Sequence, residues 1–274
     1  MKVKILPTVR RPDDGKSPTH ENRRAWLPQQ TRFCPVVEDL DRLGFLVYPP
    51  LANNETLQLY RRDDDVLVVT FYTANESGLG VAFVVEVPPG GTNSPEVTSI
   101  DAERGFDETS ALELLDAVAV DLNGPAGTFG LRGASNFITE DGWDCVYTAV
   151  FNEIARPAVP SMVTRIETDR VAHETTFHIA LHRGEVMSAA GGGPIGQVFF
   201  IPREEVLIAD GSPDEEQRFA TVQREYWDER ATKEKTTNYG ATFTYQYRDH
   251  QKARRADPVE APLQLLQDAS PSDG

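Results

Sequence analysis

Histidine and carboxylate side chains come together in one stretch of the sequence, TRIETDRVAHETTFHIALH, residues 164–182. It contains three of the five histidines of the chain, together with Glu167 and Asp169. Imidazole nitrogens and carboxylate oxygens are ligands of zinc and iron in proteins. The composition of this stretch therefore raises the hypothesis of a metal site, in which one histidine and one carboxylate come from neighbouring strands.

The spacing of the histidines argues against such a site. Strand alternation places Phe177 and Leu181 on one face and His178 and His182 on the other. Residues four apart on a strand are separated by about 13 Å, so His178 and His182 cannot bind one ion together. The same alternation is typical of a polar strand surface that faces solvent, which is the interpretation that we favour. We predict no bound metal and no cofactor.

A run of glycines opens a second candidate stretch, GGGPIGQVFFIP, residues 191–202. A phosphate-binding loop needs glycines followed by a helix, whose N–H groups and dipole face the anion. Here the glycines lead into β-branched and aromatic residues, and no Lys-Ser or Lys-Thr pair follows. The stretch predicts a tight turn, with glycines at positive φ, that leads into a buried strand. We expect Val198 and Phe200 on one face of that strand and Gln197 and Phe199 on the other.

Other catalytic signatures are missing from the sequence. It contains no Gly-x-Ser-x-Gly elbow, no paired-cysteine motif and no His-Glu-x-x-His. The two cysteines, Cys34 and Cys145, have no metal-ligand spacing, which is typical of a reduced cytoplasmic protein. Apolar neighbours of Cys34 favour a structural thiol over a nucleophile. The sequence thus favours a non-catalytic protein.

A series of strands is expected to position these residues. The strands are predicted over residues 2–6, 45–50, 56–61, 65–73, 80–87, 143–151, 161–168, 175–182 and 195–201. The segment ALELLDAVAVDL, residues 111–122, fits a short helix as well as a strand, and its periodicity does not distinguish the two. Many strands without an alternating βα pattern indicate an antiparallel β architecture.

Two helices are predicted at opposite ends of this body. In residues 34–45, a proline in the first turn and a glycine at the end predict one short N-terminal helix. A long C-terminal helix is predicted over residues 213–235, where Ser212 and Glu215 form a capping box. Its apolar residues follow helical spacing and are expected to dock on the β-rich body. This apolar stripe consists of Phe219, Val222, Tyr226 and Trp227.

The domain organisation follows from the same pattern. Residues 1–250 are assigned to a single β-rich domain, which includes a polar, proline-rich surface arm over residues 7–31. Residues 251–274 are rich in proline and charge, and we expect them to form a mobile tail.

The composition restricts the partners. The chain has 27 lysines and arginines against 43 aspartates and glutamates, a formal net charge of −16. Such a charge repels nucleic-acid phosphates and anionic membranes, so we expect neither as a partner. Arg23-Arg24 and residues 252–255 are basic, but are expected to be solvated charge on flexible segments. No apolar stretch reaches the roughly 18 residues of a membrane span, and none resembles a signal peptide. We expect a cytoplasmic protein.

Two longer stretches resemble a known family. One is RRAWLPQQTRFCPVVEDLDRLGFLVYPP, with its Arg-Arg-x-Trp, Cys-Pro and Gly-aromatic motifs. The other runs over residues 129–169, with Gly-x-x-Asn and Glu-Thr-Asp motifs, and continues in GGGPIGQVFFIPREEV. Together they are similar to an uncharacterised family of bacterial and phage proteins, a domain of unknown function. The resemblance covers about half the chain and implies no established activity.

A second resemblance implies a fold. IETD, residues 166–169, followed by GPIGQVFFIP, is similar in order and spacing to the dUTPase and dCTP deaminase superfamily. That superfamily carries an Ile-Asp-x-Asp hairpin and a Gly-x-x-Ile-Ala-Gln strand on a β-clip fold that usually trimerises. The resemblance implies that Glu167 or Asp169 matches the hairpin carboxylate and Gln197 the strand glutamine. Arg170 stands where the family has a base-stacking tyrosine, and the phosphate motifs are missing, which argues against nucleotide hydrolysis.

The expected fold is therefore mainly β, an antiparallel β-sandwich or β-clip-like body with a short N-terminal helix and one long C-terminal helix. We favour a non-catalytic β-rich assembly or interaction protein, with a homo-oligomer or protein partner. One alternative is a small-molecule-binding or nucleotide-related enzyme with a pocket between a 162–182 hairpin and the 195–201 strand. Another is a metal-dependent oxygenase-like β-barrel. The candidate ligand-binding residues are Glu167, Asp169, His178, His182 and Gln197.

Overall fold

The computed structural model describes most of the chain. The described residues are 1–20, 34, 37, 39, 42–76, 78–89, 95–124, 127–151, 162–205, 210–236, 240 and 242–256. Contacts between residues divide the chain into two compact units. Unit 1 comprises Met1–Asn22 and Asp41–Glu204, and unit 2 comprises Arg23–Leu40 and Glu205–Gly274.

The described fold is mainly β, with antiparallel strands and a long C-terminal helix, as the sequence predicts. The helices are α1 (Glu108–Val118), α2 (Pro213–Lys233) and α3 (Gln246–Ala256). The strands are β1 (Val3–Pro7), β2 (Phe45–Val47), β3 (Glu55–Arg61), β4 (Leu67–Asn75), β5 (Gly78–Val87), β6 (Glu96–Ile100), β7 (Ala119–Val120), β8 (Thr128–Arg132), β9 (Ser135–Thr139), β10 (Trp143–Thr148), β11 (Thr164–Ile166), β12 (Thr176–Ala180), β13 (Val186–Ala190), β14 (Gly196–Pro202), β15 (Lys235–Thr236) and β16 (Thr242–Phe243).

Unit 1 contains four antiparallel sheets. The largest has five strands in the order β13-β3-β4-β5-β6. A four-stranded sheet has the order β11-β10-β14-β2, a three-stranded sheet the order β12-β8-β7, and β1 pairs with β9. Alternation along β3 puts Leu57 and Leu59 inside, while Thr56, Gln58 and Tyr60 point outward. This period of two is the signature of a sheet with one face on the core.

One hydrophobic core joins all four of these sheets and α1. The five-stranded sheet contributes Leu57, Leu59, Leu67, Val69, Phe71, Phe83, Val85 and Val87. Further core residues come from the other three sheets, among them Phe129, Leu131, Phe137, Tyr147, Phe177, Ile179 and Val198. Phe71 and Phe83 stack with ring centroids 5.0 Å apart, and Phe106 packs edge-on against Phe71. Each fully buried side chain of this size contributes roughly 1.5–3 kcal/mol relative to its exposed state.

The ambiguous segment at residues 111–122 contains both structures. Helix α1 begins at an Asp107 capping box, in which Ser110 donates its backbone N–H to the Asp107 carboxylate at 2.8 Å. Its last turn passes directly into β7, which pairs with β8. Asp121 and Asn123 then adopt positive φ values of 48° and 56°, which turn the chain back toward β8. The pattern was ambiguous because a short helix and a short strand follow each other within it.

The predicted hairpin over residues 162–182 is wrong. β11 pairs with β10, and β12 pairs with β8, so these two strands belong to different sheets. Between them, Thr168–Arg170 form a turn rather than the start of a returning strand. Strand pairing depends on contacts between distant parts of the chain, which local spacing does not encode.

The glycine run leads into a strand, as predicted, but its first glycine is required by a close contact with another backbone segment. Gly191, Gly192 and Gly193 are absent from the described residues with positive φ. A Cβ on Gly191 would lie 2.0 Å from the carbonyl oxygen of Ala52, whereas a Cβ on Gly192 would meet nothing within 4 Å. The expectation of positive φ is therefore wrong, and Gly191 is needed because another backbone segment touches it.

Unit 2 confirms the predicted C-terminal helix but not the burial of its stripe. Ser212 and Glu215 form the capping box of α2, and Pro213 occupies its first turn. No residue of α2 is buried, and Phe219 and Trp227 are 52% and 53% exposed. The docking of this stripe on the β-rich body stays a prediction, because helical spacing shows that a face is apolar but not what covers it.

Several sequence predictions concern segments that lie partly outside the described residues. The predicted N-terminal helix over residues 34–45 lies mostly outside the described residues. The predicted boundary at residue 250 falls within α3, and residues 257–274 of the predicted tail are also outside. The assignment of one domain to residues 1–250 stays a prediction. Part of the predicted surface arm is described, and Thr8 N donates to Ala134 O at 2.9 Å.

No helix within the described residues is long and apolar enough to span a membrane.

Gly191 and Gly192 provide a matched test of the turn that precedes β14. Gly191→Ala places a methyl group against the Ala52 carbonyl, so we expect it to lower the free energy of unfolding by about 1–3 kcal/mol. Gly192→Ala, which meets open space, is the control and should be neutral or slightly stabilising. Chemical denaturation of both variants measures the difference. Equal stability of the two variants would contradict the close approach.

Candidate functional site

The predicted carboxylate Asp169 belongs to an ion-pair network at one end of the four-stranded sheet. Arg203 follows β14, and its guanidinium donates to Asp144 Oδ1 at 2.9 Å and to Asp169 Oδ2 at 3.2 Å. Asp144 lies on β10 and also accepts from Arg165 Nε at 2.5 Å. The backbone N–H of Gly142 donates to Asp169 Oδ2 at 2.9 Å. The network thus joins β10, the turn after β11 and the end of β14.

Both central carboxylates stay ionised. The side chains of Asp144 and Asp169 are only 1% and 3% exposed. Hydrogen bonding from Arg203 lowers the pKa of Asp169 to about 2. Burial alone would raise the pKa of Asp144, but Arg203 and Arg165 outweigh it and lower that pKa. Through their hydrogen bonds to Arg203, Arg165 and the Gly142 backbone, the two ionised carboxylates connect separate segments of the chain.

Glu167 takes no central part in this network. Its carboxylate is 47% exposed and lies 3.6 Å from an Arg203 nitrogen, a distance beyond a hydrogen bond. The neighbouring Thr168 points the other way, into the protein, where its hydroxyl donates to Cys145 Sγ at 3.2 Å. Burial raises the pKa of the Cys145 thiol, so it stays protonated and is a poor nucleophile.

Gln197 connects loops. The Oε1 atom of this buried side chain accepts from Phe151 N at 3.0 Å, and its Nε2 donates to the carbonyl oxygen of Leu43. Both ends of the amide therefore contact backbone groups. The side chain positions the segments that flank β10 and β2, which is a structural role.

The two candidate histidines lie near the three-stranded sheet. His178 on β12 is opposite Gly130 of β8, and its Nε2 lies 3.3 Å from Asp121 Oδ2. His182 comes after the strand and is exposed, with its backbone N–H donating to Glu185 at 2.8 Å. Strand β12, which carries His178, is in a different sheet from β11 and the Asp169 turn.

The five candidate residues therefore occupy three separate places: the Arg203 network, the loop contacts of Gln197 and the surface of the three-stranded sheet. The pocket predicted between a 162–182 hairpin and the 195–201 strand has no hairpin to form it. Among the described residues, no group of three histidine, cysteine, aspartate or glutamate side chains could hold a metal ion.

A different feature, which the sequence analysis missed, is the outer face of the five-stranded sheet. Cross-strand pairing aligns its outward side chains in three rows. We use the name "outer face" for these rows, which are Val186-Tyr60-Val68-Glu86-Glu96, Ser188-Gln58-Thr70-Val84-Ser99 and Ala190-Thr56-Tyr72-Val81. Valine, threonine and tyrosine dominate them, and Tyr72 donates to Gln58 Oε1 at 3.2 Å.

The outer face is depleted of charge. Charged residues make up 26% of the chain, yet the only ones in these rows are Glu86 and Glu96, at one corner. Glu86 accepts from Arg62 Nη1 at 2.9 Å, which neutralises part of that corner. Tyr60, Val81 and Val186 are 36%, 39% and 43% exposed. A surface that contains tyrosine and valine and is poor in charge has the composition of the centre of a protein–protein interface.

A signal for this face was present in the sequence. In β3 and β4 both alternating phases contain residues suited to packing, with leucine, valine and phenylalanine inward and threonine, tyrosine and valine outward. An outward face of a solvated sheet would instead alternate with lysine, glutamate or aspartate.

No protein-family model matches the sequence, and no curated protein matches it. The resemblance to a family of unknown function, and the one to the dUTPase and dCTP deaminase superfamily, stay predictions from the quoted motifs.

The Arg203 network predicts a dependence of stability on pH. Because the pKa of Asp169 is about 2 in the folded protein and 3.8 in its ordinary state, its contribution is complete above pH 3.8 and is lost as pH falls toward 2. Asp169→Asn should lower the melting temperature at neutral pH and flatten its fall over this acid range. Asp141→Asn, at an exposed aspartate in the adjacent turn, is the control and should keep the wild-type profile. An unchanged profile for Asp169→Asn would show that the ion pair does not stabilise the fold.

Proposed function

We propose that this protein is a non-catalytic β-rich assembly protein that forms a homo-oligomer through the outer face of its five-stranded sheet. The observation that supports the proposal is the low charge content of three aligned rows, whose only charged residues are Glu86 and Glu96, in a chain of net charge −16. A surface that stays in contact with water gains little by excluding charge. The centre of an interface gains from excluding it, because burying an unpaired charge is costly.

The size of the outer face suits an interface. Five strands about 4.8 Å apart and three rows about 6.8 Å apart give a projected area of roughly 500 Å². Protruding side chains have more accessible area than their projection. Together with Leu79, which lies two residues before Val81 and is 68% exposed, the face is of the order of the roughly 800 Å² that each partner buries in a standard interface.

A second copy of the chain is the occupant that fits best. A two-fold interface brings one surface against itself, so the surface must be self-complementary. The outer face combines apolar valines with hydroxyl and amide groups that both donate and accept, such as those of Thr70, Ser188 and Gln58. Two acidic copies repel each other, but salt screens charges more than about 8 Å apart, and this arrangement keeps the charged surfaces away from the contact.

The finer fold description belongs to the same proposal. A β-sandwich is supported by the shared core, in which the inner face of the five-stranded sheet meets side chains of β8, β10, β12 and β14. In such an arrangement one face of the large sheet is used by the core and the other stays available for assembly. The β-clip alternative would need the 162–182 hairpin, which is not formed.

The alternatives receive less support. The enzyme with a pocket beside the 195–201 strand and the oxygenase-like β-barrel both need candidate residues that lie in separate places. Nucleic acid and anionic membranes remain disfavoured as partners by the net charge of −16.

A lysine in the middle of the outer face tests the proposal. Thr70 is half-buried at the centre of the second row, so Thr70→Lys would bring two ammonium groups into the proposed interface. We expect the association constant to fall at least about 10-fold, equivalent to about 1.4 kcal/mol, while the monomer keeps its fold. Sedimentation equilibrium measures the association.

Thr221→Lys is the matched control, since it adds the same charge at an exposed position of α2. It should leave the association constant unchanged. A wild-type protein that is monomeric at high micromolar concentration, or an oligomer that Thr70→Lys leaves intact, would refute assembly through this face. Circular dichroism of both variants verifies that the fold is retained.

A further inference from the structure

Unit 2 contains a groove between α2 and α3 that the proposed assembly does not use. Its volume is about 660 Å³, and we call it the aromatic groove. Its apolar lining includes Phe219, Val222, Tyr226, Trp227 and Tyr247. The volume lies within the roughly 300–1,000 Å³ of small-molecule sites, which are also lined mainly by apolar and aromatic side chains with a few polar groups.

The polar lining of the groove is acidic. Glu225 and Glu229 lie one helical turn apart on α2, so their carboxylates share a face. Glu229 is fixed by Gln246 Nε2 at 2.7 Å and by His250 Nε2 at 3.1 Å. Hydrogen bonding from Lys233, followed by that from Gln246 and His250, lowers the pKa of Glu229 to about 2, which keeps it ionised.

Glu225 differs from Glu229 in having no ion pair among the described residues. It therefore presents a carboxylate to the groove without a cation of its own. The aromatic rings add to this preference, because the faces of Trp and Tyr rings attract cations. Trp227 already does so within the chain, where the Arg230 guanidinium carbon lies 5.1 Å from its ring centroid.

These observations indicate which charge a ligand of the aromatic groove should carry. An anion would meet Glu225 and Glu229 in a chain that is already strongly acidic, and a neutral apolar molecule would leave the Glu225 carboxylate unpaired. A cationic group on an apolar body satisfies both parts of the lining, because the body packs on the rings and the charge faces the carboxylate.

We propose that the aromatic groove binds a small organic cation, namely a protonated amine carried on an aromatic or aliphatic body. Phe219 and Trp227 are eight residues apart on α2, which corresponds to about 12 Å along the helix axis. A ligand with a two-ring body and a short amine-bearing arm matches this length. The ammonium group pairs with Glu225, while the rings contact Tyr226 and Trp227. The site lies within unit 2 and does not depend on assembly through unit 1.

Three probes of one shape separate charge from apolar contact. Naphthylethylamine, naphthylethanol and naphthylacetate share a body and differ in carrying a positive, a neutral or a negative group. We expect calorimetric titration of the full chain to give saturable binding of the amine, at least about 10-fold tighter than that of the alcohol, with the carboxylate weakest. A tenfold ratio corresponds to about 1.4 kcal/mol.

Glu225→Gln removes the unpaired charge and nearly preserves the shape of the side chain. It should weaken binding of the amine about 2- to 5-fold, the range of a surface ion pair, and leave binding of the alcohol unchanged. Glu216→Gln is the matched control, because Glu216 is exposed on the same helix and does not line the groove. It should bind all three probes as the wild type does.

Equal affinities for the amine and the alcohol would overturn the proposal, and so would equal effects of the two glutamine variants. Absence of amine binding at millimolar concentration would do the same. Since both variants change exposed side chains, circular dichroism should show that each keeps the helix content of the wild type.

Discussion

Two carboxylates, those of Asp144 and Asp169, are nearly removed from water, and the guanidinium of Arg203 compensates both. Removing water from a carboxylate costs several kcal/mol unless charge and hydrogen bonds replace it, so the position of Arg203 is dictated by these two groups. Because Arg203 follows β14, the interaction determines where that strand ends relative to β10 and to the turn after β11. The bidentate contact of the Arg203 guanidinium with Asp169 also explains why a carboxylate in a candidate ligand-binding stretch serves the fold.

Charged side chains are distributed unevenly over unit 1. Ionic groups are concentrated in networks at the ends of strands, such as the Arg203 network, while the outer face of the five-stranded sheet is almost free of them. The same sheet thus has one face on the hydrophobic core and another composed like an interface centre. In unit 2, helix α2 instead exposes aromatic residues beside carboxylates. This composition suits the proposed binding of a cation better than contact with another apolar surface.

Much of the fold could be predicted from local sequence patterns. Alternation in β3, β4 and β5 and the Ser212 capping box of α2 are confirmed, because each depends on residues that are near one another in the chain. The errors concern contacts between distant residues. Nothing near β11 indicates that it pairs with β10, and nothing within α2 indicates that Phe219 and Trp227 remain exposed. Gln197 was recognised, but its loop contacts could not be foreseen. The outer face could have been found, had both phases of the alternation been considered.

Hydroxyl-radical footprinting of Tyr60 over a range of protein concentrations tests assembly through the outer face most directly. Tyr60 is 36% exposed in the single chain and lies in the first row of that face. Tyr245 in unit 2, 50% exposed, serves as the internal reference. We expect oxidation of Tyr60 to fall as the protein self-associates, while oxidation of Tyr245 stays constant. Self-association without protection of Tyr60, or a protein that remains monomeric over the whole range, would contradict the account.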